Sequence, residues 1–152
     1  MLFQRINRSD PEKVFVGVYN SYSTAAITNG QAVNWDFITD VDGVGVTIPL
    51  ARATNAGVAA AGVVATASIA AGDYGLVQVY GYHSATRVRT VTGGTPAIAK
   101  GRPLVMNVAG SVFCLESVAT ASTVILTFPC ALALAANSSW TTLAKAVFIK
   151  AM

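Results

Sequence analysis

Residues 69–92, IAAGDYGLVQVYGYHSATRVRTVT, constrain the fold more than any other stretch. Ala71-Gly72-Asp73-Tyr74-Gly75 reads as a tight turn, because glycines accept backbone angles that other residues avoid. Leu76–Gly81 then runs as a short apolar strand. A second turn leads into Arg87–Thr92, where Arg87 and Arg89 alternate with Val88. The remainder of the chain reads as further strands laid beside this unit.

Lys13–Tyr19 is rich in Val and aromatics, and its alternation places Val14, Val16 and Val18 on one face. Asn29-Gly30 is a turn dipeptide. After it, Val33, Trp35 and Phe37 alternate with Asn34 and Asp36, the pattern of a half-buried strand. Asp40-Val41-Asp42-Gly43 predicts another turn, followed by Val44–Leu50 with a break at Pro49. Residues 51–68 mix alanine with Gly57, Gly62 and many Val and Thr, which disfavours a long helix and suggests a loop and then a strand over Gly62–Ile69.

Thr92-Gly93-Gly94-Thr95-Pro96 turns the chain again. Strand-like runs follow at Val112–Ser117, Ser122–Phe128, Cys130–Ala136 and Ala146–Ile149. Pro129 marks a bend or edge, and Asn137-Ser138-Ser139 a turn. Short strands separated by turns at this spacing indicate an all-β fold, a single compact β-sandwich, jelly-roll-like or small barrel domain over residues 13–152. Residues 1–12 read as an extended N-terminal arm, because Pro11 disfavours helix through residue 10 and few apolar residues anchor it. An internal echo links Ile69-Ala70-Ala71-Gly72, leading to Leu76–Gly81, with Ile98-Ala99-Lys100-Gly101, leading to Leu104–Gly110. We read it as two hairpins of one sheet sharing a geometry.

Charged residues make up only 11% of the 152 residues, against about 25% in ordinary soluble domains. Such a surface is buried in an assembly or meets lipid. Two uncharged stretches, 53–72 and 117–144, reach bilayer length, but one is weakly apolar and the other is broken by Pro129. No membrane partner is therefore expected. No secretory leader is legible at the N-terminus. The net charge of +3 comes from scarce acids rather than a basic block, so no nucleic-acid partner is expected either.

The chemistry-bearing residues do not assemble into a catalytic or metal motif. Cys114 and Cys130 lie in apolar runs without CxxC spacing and read as buried free thiols. His83 and Ser84 are adjacent, and strand neighbours point to opposite faces, so they are no dyad; His83 reads as a surface or turn histidine. Asp40-Val41-Asp42-Gly43 superficially matches the start of a calcium loop. The later ligand positions fall on Val44, Val46 and Ile48, with no glutamate at the twelfth. The chain is expected to be no enzyme and to carry no cofactor and no metal.

Residues 57–105, with AAGDYGLVQVYG, then TGGTPAIAKGRPLV, together with the C-terminal KAVFIKAM, resemble the capsid decoration (cement) and related head proteins of tailed bacteriophages. The likeness covers about a third of the chain well, through turn glycines and small apolar residues. It implies a small all-β structural protein, a homo-oligomer and typically a trimer, on the capsid exterior of the virion. There it would clamp neighbouring capsomers through contacts with the major capsid protein. Arg5, Arg8 and Lys13, at and beside the arm, are the candidate capsid contacts. A trimeric tail-fibre or adhesin head, or another minor virion component, is the alternative; it would present exposed aromatics from among Tyr19, Tyr22, Tyr80 and Tyr82.

Overall fold

The computed structural model describes residues 12–37, 40, 43–47, 60–90, 97–106, 115–117 and 129–151. Arg5, Arg8, the turn at 92–96, Cys114 and the strand expected at Ser122–Phe128 lie outside them, as do Val41, Asp42, Pro49 and residues 51–59.

The described residues form strands and no helix. They are β1 (Val14–Asn20), β2 (Ile27–Thr28), β3 (Ala32–Trp35), β4 (Gly45–Thr47), β5 (Ala60–Val64), β6 (Ser68–Ile69), β7 (Tyr74–Arg89), β8 (Pro103–Met106), β9 (Leu115–Ser117), β10 (Ala131–Ala133) and β11 (Leu143–Lys150). The all-β expectation holds, in its small-barrel form. β1, β4, β3, β5 and β7 pair in that order, and β7 pairs back onto β1, which closes a ring. A second ring runs β7, β9, β8, β10, β11 and returns to β7. In a closed ring of five strands, directions cannot alternate all the way round, so at least one neighbouring pair must be parallel. Each ring has one: β1 with β4, and β7 with β9.

The two rings share more than a strand. Taken in chain order, each pairs its first strand in parallel with its third, the third with the second, the second with the fourth, and the fourth with the fifth. The fifth then returns to the first. β7 is the fifth strand of the first barrel and the first strand of the second. Strands β3 and β8 are four residues each, lie about 70 positions apart and follow matching turns. In one, Gln31 N–H donates to Thr28 O (3.1 Å) across Gly30 at φ +79°; in the other, Arg102 N–H donates to Ala99 O (3.2 Å) across Gly101 at φ +80°. The buried Ile27 and Ile98 precede these turns. The topological counterpart of Ile98–Gly101 is thus Ile27–Gly30, not Ile69–Gly72. The Ile69–Gly72 segment has the same local turn, with Asp73 N–H donating to Ala70 O and Gly72 at φ +81°, but it leads into the fifth strand. The echo is one of whole barrels rather than of two hairpins.

Each barrel encloses a core. The first holds Val18, Val33, Val46, Val64, Val77 and Val79, with Val14 and Val16 packed against it, so the expected face of β1 points inward. The second holds Val88, Leu104, Leu115, Ala131, Val147 and Ile149. Ala32 and Val63 belong to this second core, whereas their neighbours Val33 and Val64 belong to the first. β3 and β5 therefore form a common wall with one face toward each core. This overturns the half-buried pattern expected for residues 33–37: Asn34 and Asp36 are buried, and Phe37 is exposed.

The turn expected between residues 81 and 87 is also absent, because β7 runs unbroken through it. Opposite it, Lys145 pairs with Thr86 and Val147 with His83, so Ala146 alone faces Ser84 and Ala85. The polar GYHSAT segment is a β-bulge, which adds a residue and twist without reversing the chain. The 62–69 strand is likewise split into β5, starting earlier, and the short β6.

Gly81 is the joint between the two halves of β7. It sits at φ +101°, and a Cβ there would collide with the Glu12 carbonyl oxygen, because the chain entering β1 lies directly over it. Gln78, buried, locks this joint by donating Nε2 to both Tyr80 O and Tyr82 O at 3.1 Å. Gly81→Ala is expected to cost about 2 kcal/mol or more, from positive φ and overlap together. Because the strand is common, fluorescence of Trp35 in the first barrel and Trp140 in the second should report one coincident, lowered unfolding transition.

Candidate functional site

The outer surfaces carry the features that have no role in either core. Side chains directly opposite across strands share a face. Pro103 pairs with Leu132, Leu132 with Phe148, and Phe148 with Tyr82, giving an outward apolar row across four strands of the second barrel. Leu132 is 42% exposed, and the Tyr80 ring meets Phe148 edge-on at a centroid distance of 5.1 Å. These residues are uncharged, and the row runs unbroken from β8 to β7.

A different surface occupies the far end of the first barrel. There Tyr19 pairs with Tyr74 across β1 and β7, with ring centroids 5.3 Å apart and planes tilted by 55°. Tyr74 is 75% exposed. The two rings edge a cleft of about 690 Å³ whose lining includes Ser21, Ser23, Asp40 and Val44. Gly45 makes room for the Asp40 side chain, since a Cβ there would lie 2.5 Å from Asp40 Oδ2. Asn20, buried, builds the floor. Its Nδ2 donates to Ile69 O at 2.9 Å and Ala70 O at 3.2 Å, and its Oδ1 accepts the Tyr22 N–H at 3.0 Å. Ser21 Oγ, 2.8 Å from Asp36 Oδ2, ties the same corner to β3.

Of the candidate capsid contacts, Arg5 and Arg8 lie outside the described residues, and Lys13 is exposed at the entrance to β1. Tyr19 and Tyr22 are half-buried beside or near the cleft, and Tyr80 and Tyr82 are half-buried on the second surface. Among the described residues, the most exposed aromatics are Tyr74 and Trp140, at 75% and 64%; neither stands out in the sequence, because both sit at turn edges, where periodicity is silent.

His83 is not a surface histidine. It is 8% exposed in β7, where its Nδ1 lies 3.0 Å from Thr86 Oγ1 and accepts the Ala85 N–H at 3.3 Å, stapling the bulge. Burial, aided by the positive charge of Lys13, lowers its pKa below the ordinary 6.5. Cys130 is a buried free thiol, as expected. Burial pushes it up to about 12, so no nucleophilic thiolate forms at neutral pH. Among the described residues, no group of three His, Cys, Asp or Glu side chains could hold a metal ion. No described helix is long and apolar enough to cross a membrane.

No family model matches the chain, and no curated protein does. Among solved structures, the head fibre gp8.5 N base of bacteriophage phi29 is similar over 92% of this chain and 96% of that one, at 13% identity and a TM-score of 0.46.

The histidine gives a measurable pH response. The unfolded chain takes up a proton as pH falls through about 6.5, while the folded form resists it. The His83 contribution is therefore complete above that pH and is lost as pH falls below it. Denaturant titrations at pH 7 and pH 5 should show lower stability at pH 5, and His83→Gln should flatten that difference.

Proposed function

We propose that this chain is a non-catalytic structural protein of a tailed-phage virion, attached to the capsid exterior and bridging neighbouring capsomers, as a trimer. The observation that carries the reading is the uncharged row Pro103, Leu132, Phe148 and Tyr82. It presents a continuous apolar strip on a chain with only 11% charged residues. A strip of this kind suits the buried centre of a protein interface, where charge is depleted and aromatics are enriched. The resemblance of residues 57–105 to decoration proteins points the same way. Two barrels rigidly joined through β7 suit a protein that touches two neighbours at once. Many copies each adding one such contact reinforce a shell multivalently, with no chemistry required. In this reading Arg5, Arg8 and Lys13 pair with capsid acids, and the 1–12 arm reaches a neighbouring subunit.

The fibre or adhesin reading is favoured by a separate observation, the exposed Tyr74 beside Tyr19 at the far end of the first barrel.

Quantitative mass spectrometry of purified particles tests the proposal through the copy number relative to the major capsid protein. A ratio near one to one is expected. A handful of copies would move the protein to a tail or fibre, and its absence from particles would overturn every virion reading. Leu132→Glu should lower shell occupancy severalfold with the fold intact, because the side chain is exposed and its replacement puts a charge in the strip. Deleting residues 1–12 should also lower occupancy; unchanged binding would remove the arm from the docking scheme.

A further inference from the structure

We propose that the cleft between Tyr19, Tyr74 and Asp40 at the end of the first barrel is a carbohydrate site that takes a neutral hexose unit of a glycan. The proposal goes beyond shell attachment, because it concerns the barrel end away from the apolar strip. At about 690 Å³ the cleft is within the range of small-ligand sites. Its chemistry is mixed. The C–H face of a pyranose is weakly positive and apolar and packs on the negative face of an aromatic ring, and Tyr74 offers such a ring with 75% of its surface exposed. Tyr19, 5.3 Å away and tilted by 55°, makes a corner rather than a flat stack, so one ring supports the sugar face and the other its edge.

The polar groups match the rest of a sugar. The hydroxyls of Tyr19, Tyr74 and Ser23 can donate and accept, and the Asp40 carboxylate accepts from vicinal hydroxyls. Among the described residues that line the cleft there is no Lys or Arg to pair with a phosphate, sulfate or sialic acid.

The cleft is also built in advance. Asn20 spends its side chain on the Ile69 and Ala70 carbonyls and the Tyr22 N–H, and Ser21 lies against Asp36, so the floor does not have to order on binding. Gly45 clears the space that the Asp40 side chain occupies. Gly72, beside the Tyr19 hydroxyl, holds the turn at φ +81°, a backbone angle that other residues rarely adopt. Neither tyrosine belongs to a core, and burying Tyr74 would be the ordinary outcome for a ring of that size were it needed for folding.

The test is saturation-transfer NMR on the full chain. The probes are neutral oligosaccharides of glucose, galactose, mannose and N-acetylglucosamine, with sialylated and sulfated oligosaccharides and an oligolysine peptide alongside. At least one neutral oligosaccharide should show transfer at millimolar or submillimolar concentration, with little from the acidic ones. Tyr74→Ala should weaken that binding about fivefold to tenfold, Tyr74→Phe should weaken it less, and Asp40→Asn should weaken it while stacking persists. Tyr74 is exposed enough that its substitution leaves the fold intact, which the unchanged unfolding midpoint verifies. Absence of transfer from all neutral oligosaccharides overturns the proposal. So does transfer undiminished in Tyr74→Ala, or binding confined to oligolysine or to the acidic glycans. Shell copy number is read separately, so loss of glycan binding with full capsid occupancy removes this site and leaves the attachment role standing.

Discussion

The whole arrangement depends on one strand being held continuous through a glycine. β7 serves as the last strand of one barrel and the first of the next, and it passes between them at Gly81. Two local interactions fix that passage. The Glu12 backbone lies where a Cβ would otherwise project, and the Gln78 amide binds the carbonyls on either side of the joint. A buried amide that spends its donors on main chain is stabilising only while both partners stay in place. The joint is therefore well defined, and the relative placement of the two barrels follows from it.

Sharing extends from the strand to the cores. β3 and β5 turn alternate residues toward opposite cores, so the first barrel closes part of the second. The Thr28–Gly30 turn adds to this connection. Arg87 N–H donates to Gly30 O at 2.8 Å, and the Arg87 side chain reaches Thr28 Oγ1 at 3.1 Å, so a turn of the first barrel is bonded to the second half of β7. A body braced in this way can carry different surfaces at different places without one disturbing the other. The apolar strip of the second barrel and the tyrosine cleft of the first are separated by about half the length of β7, from Tyr74 to Tyr82. That separation lets one chain attach by one surface while displaying the other.

Strand content was largely legible in the residues. The valine alternation of β1, the Asn29-Gly30 turn, the turn before Tyr74 and the Asn137 turn all follow local rules. β-branched residues pack on a pleat, and glycine or asparagine accepts the turn angles. His83 was misread because a polar GYHSAT run with glycine has the composition of a turn. A bulge needs the same kind of residue, and what separates the two is whether a partner strand continues alongside, which is a nonlocal fact. Asn34 and Asp36 were misread for a related reason. Alternation predicts one wet face, and it fails for a wall between two cores. The Tyr74 cleft had still less signal, since its members come from β1 and the residues just after it, from Asp40 and Val44 ahead of β4, from the Ala71-Gly72 turn and from β7.

By itself, the sequence determined the scarcity of charge, and also the strand class, the turns at Asn29-Gly30 and before Tyr74, and the inward face of β1, because each of these rests on contacts within a few residues. Only the tertiary structure decided that five-strand rings close, that one strand belongs to both, and that the two barrels repeat a single topology. It alone decided which aromatics stay outside. Ring closure and common walls are set by pairings between distant segments, such as β1 with β4 and β7 with β9, and local periodicity carries no information about which strand will be a neighbour.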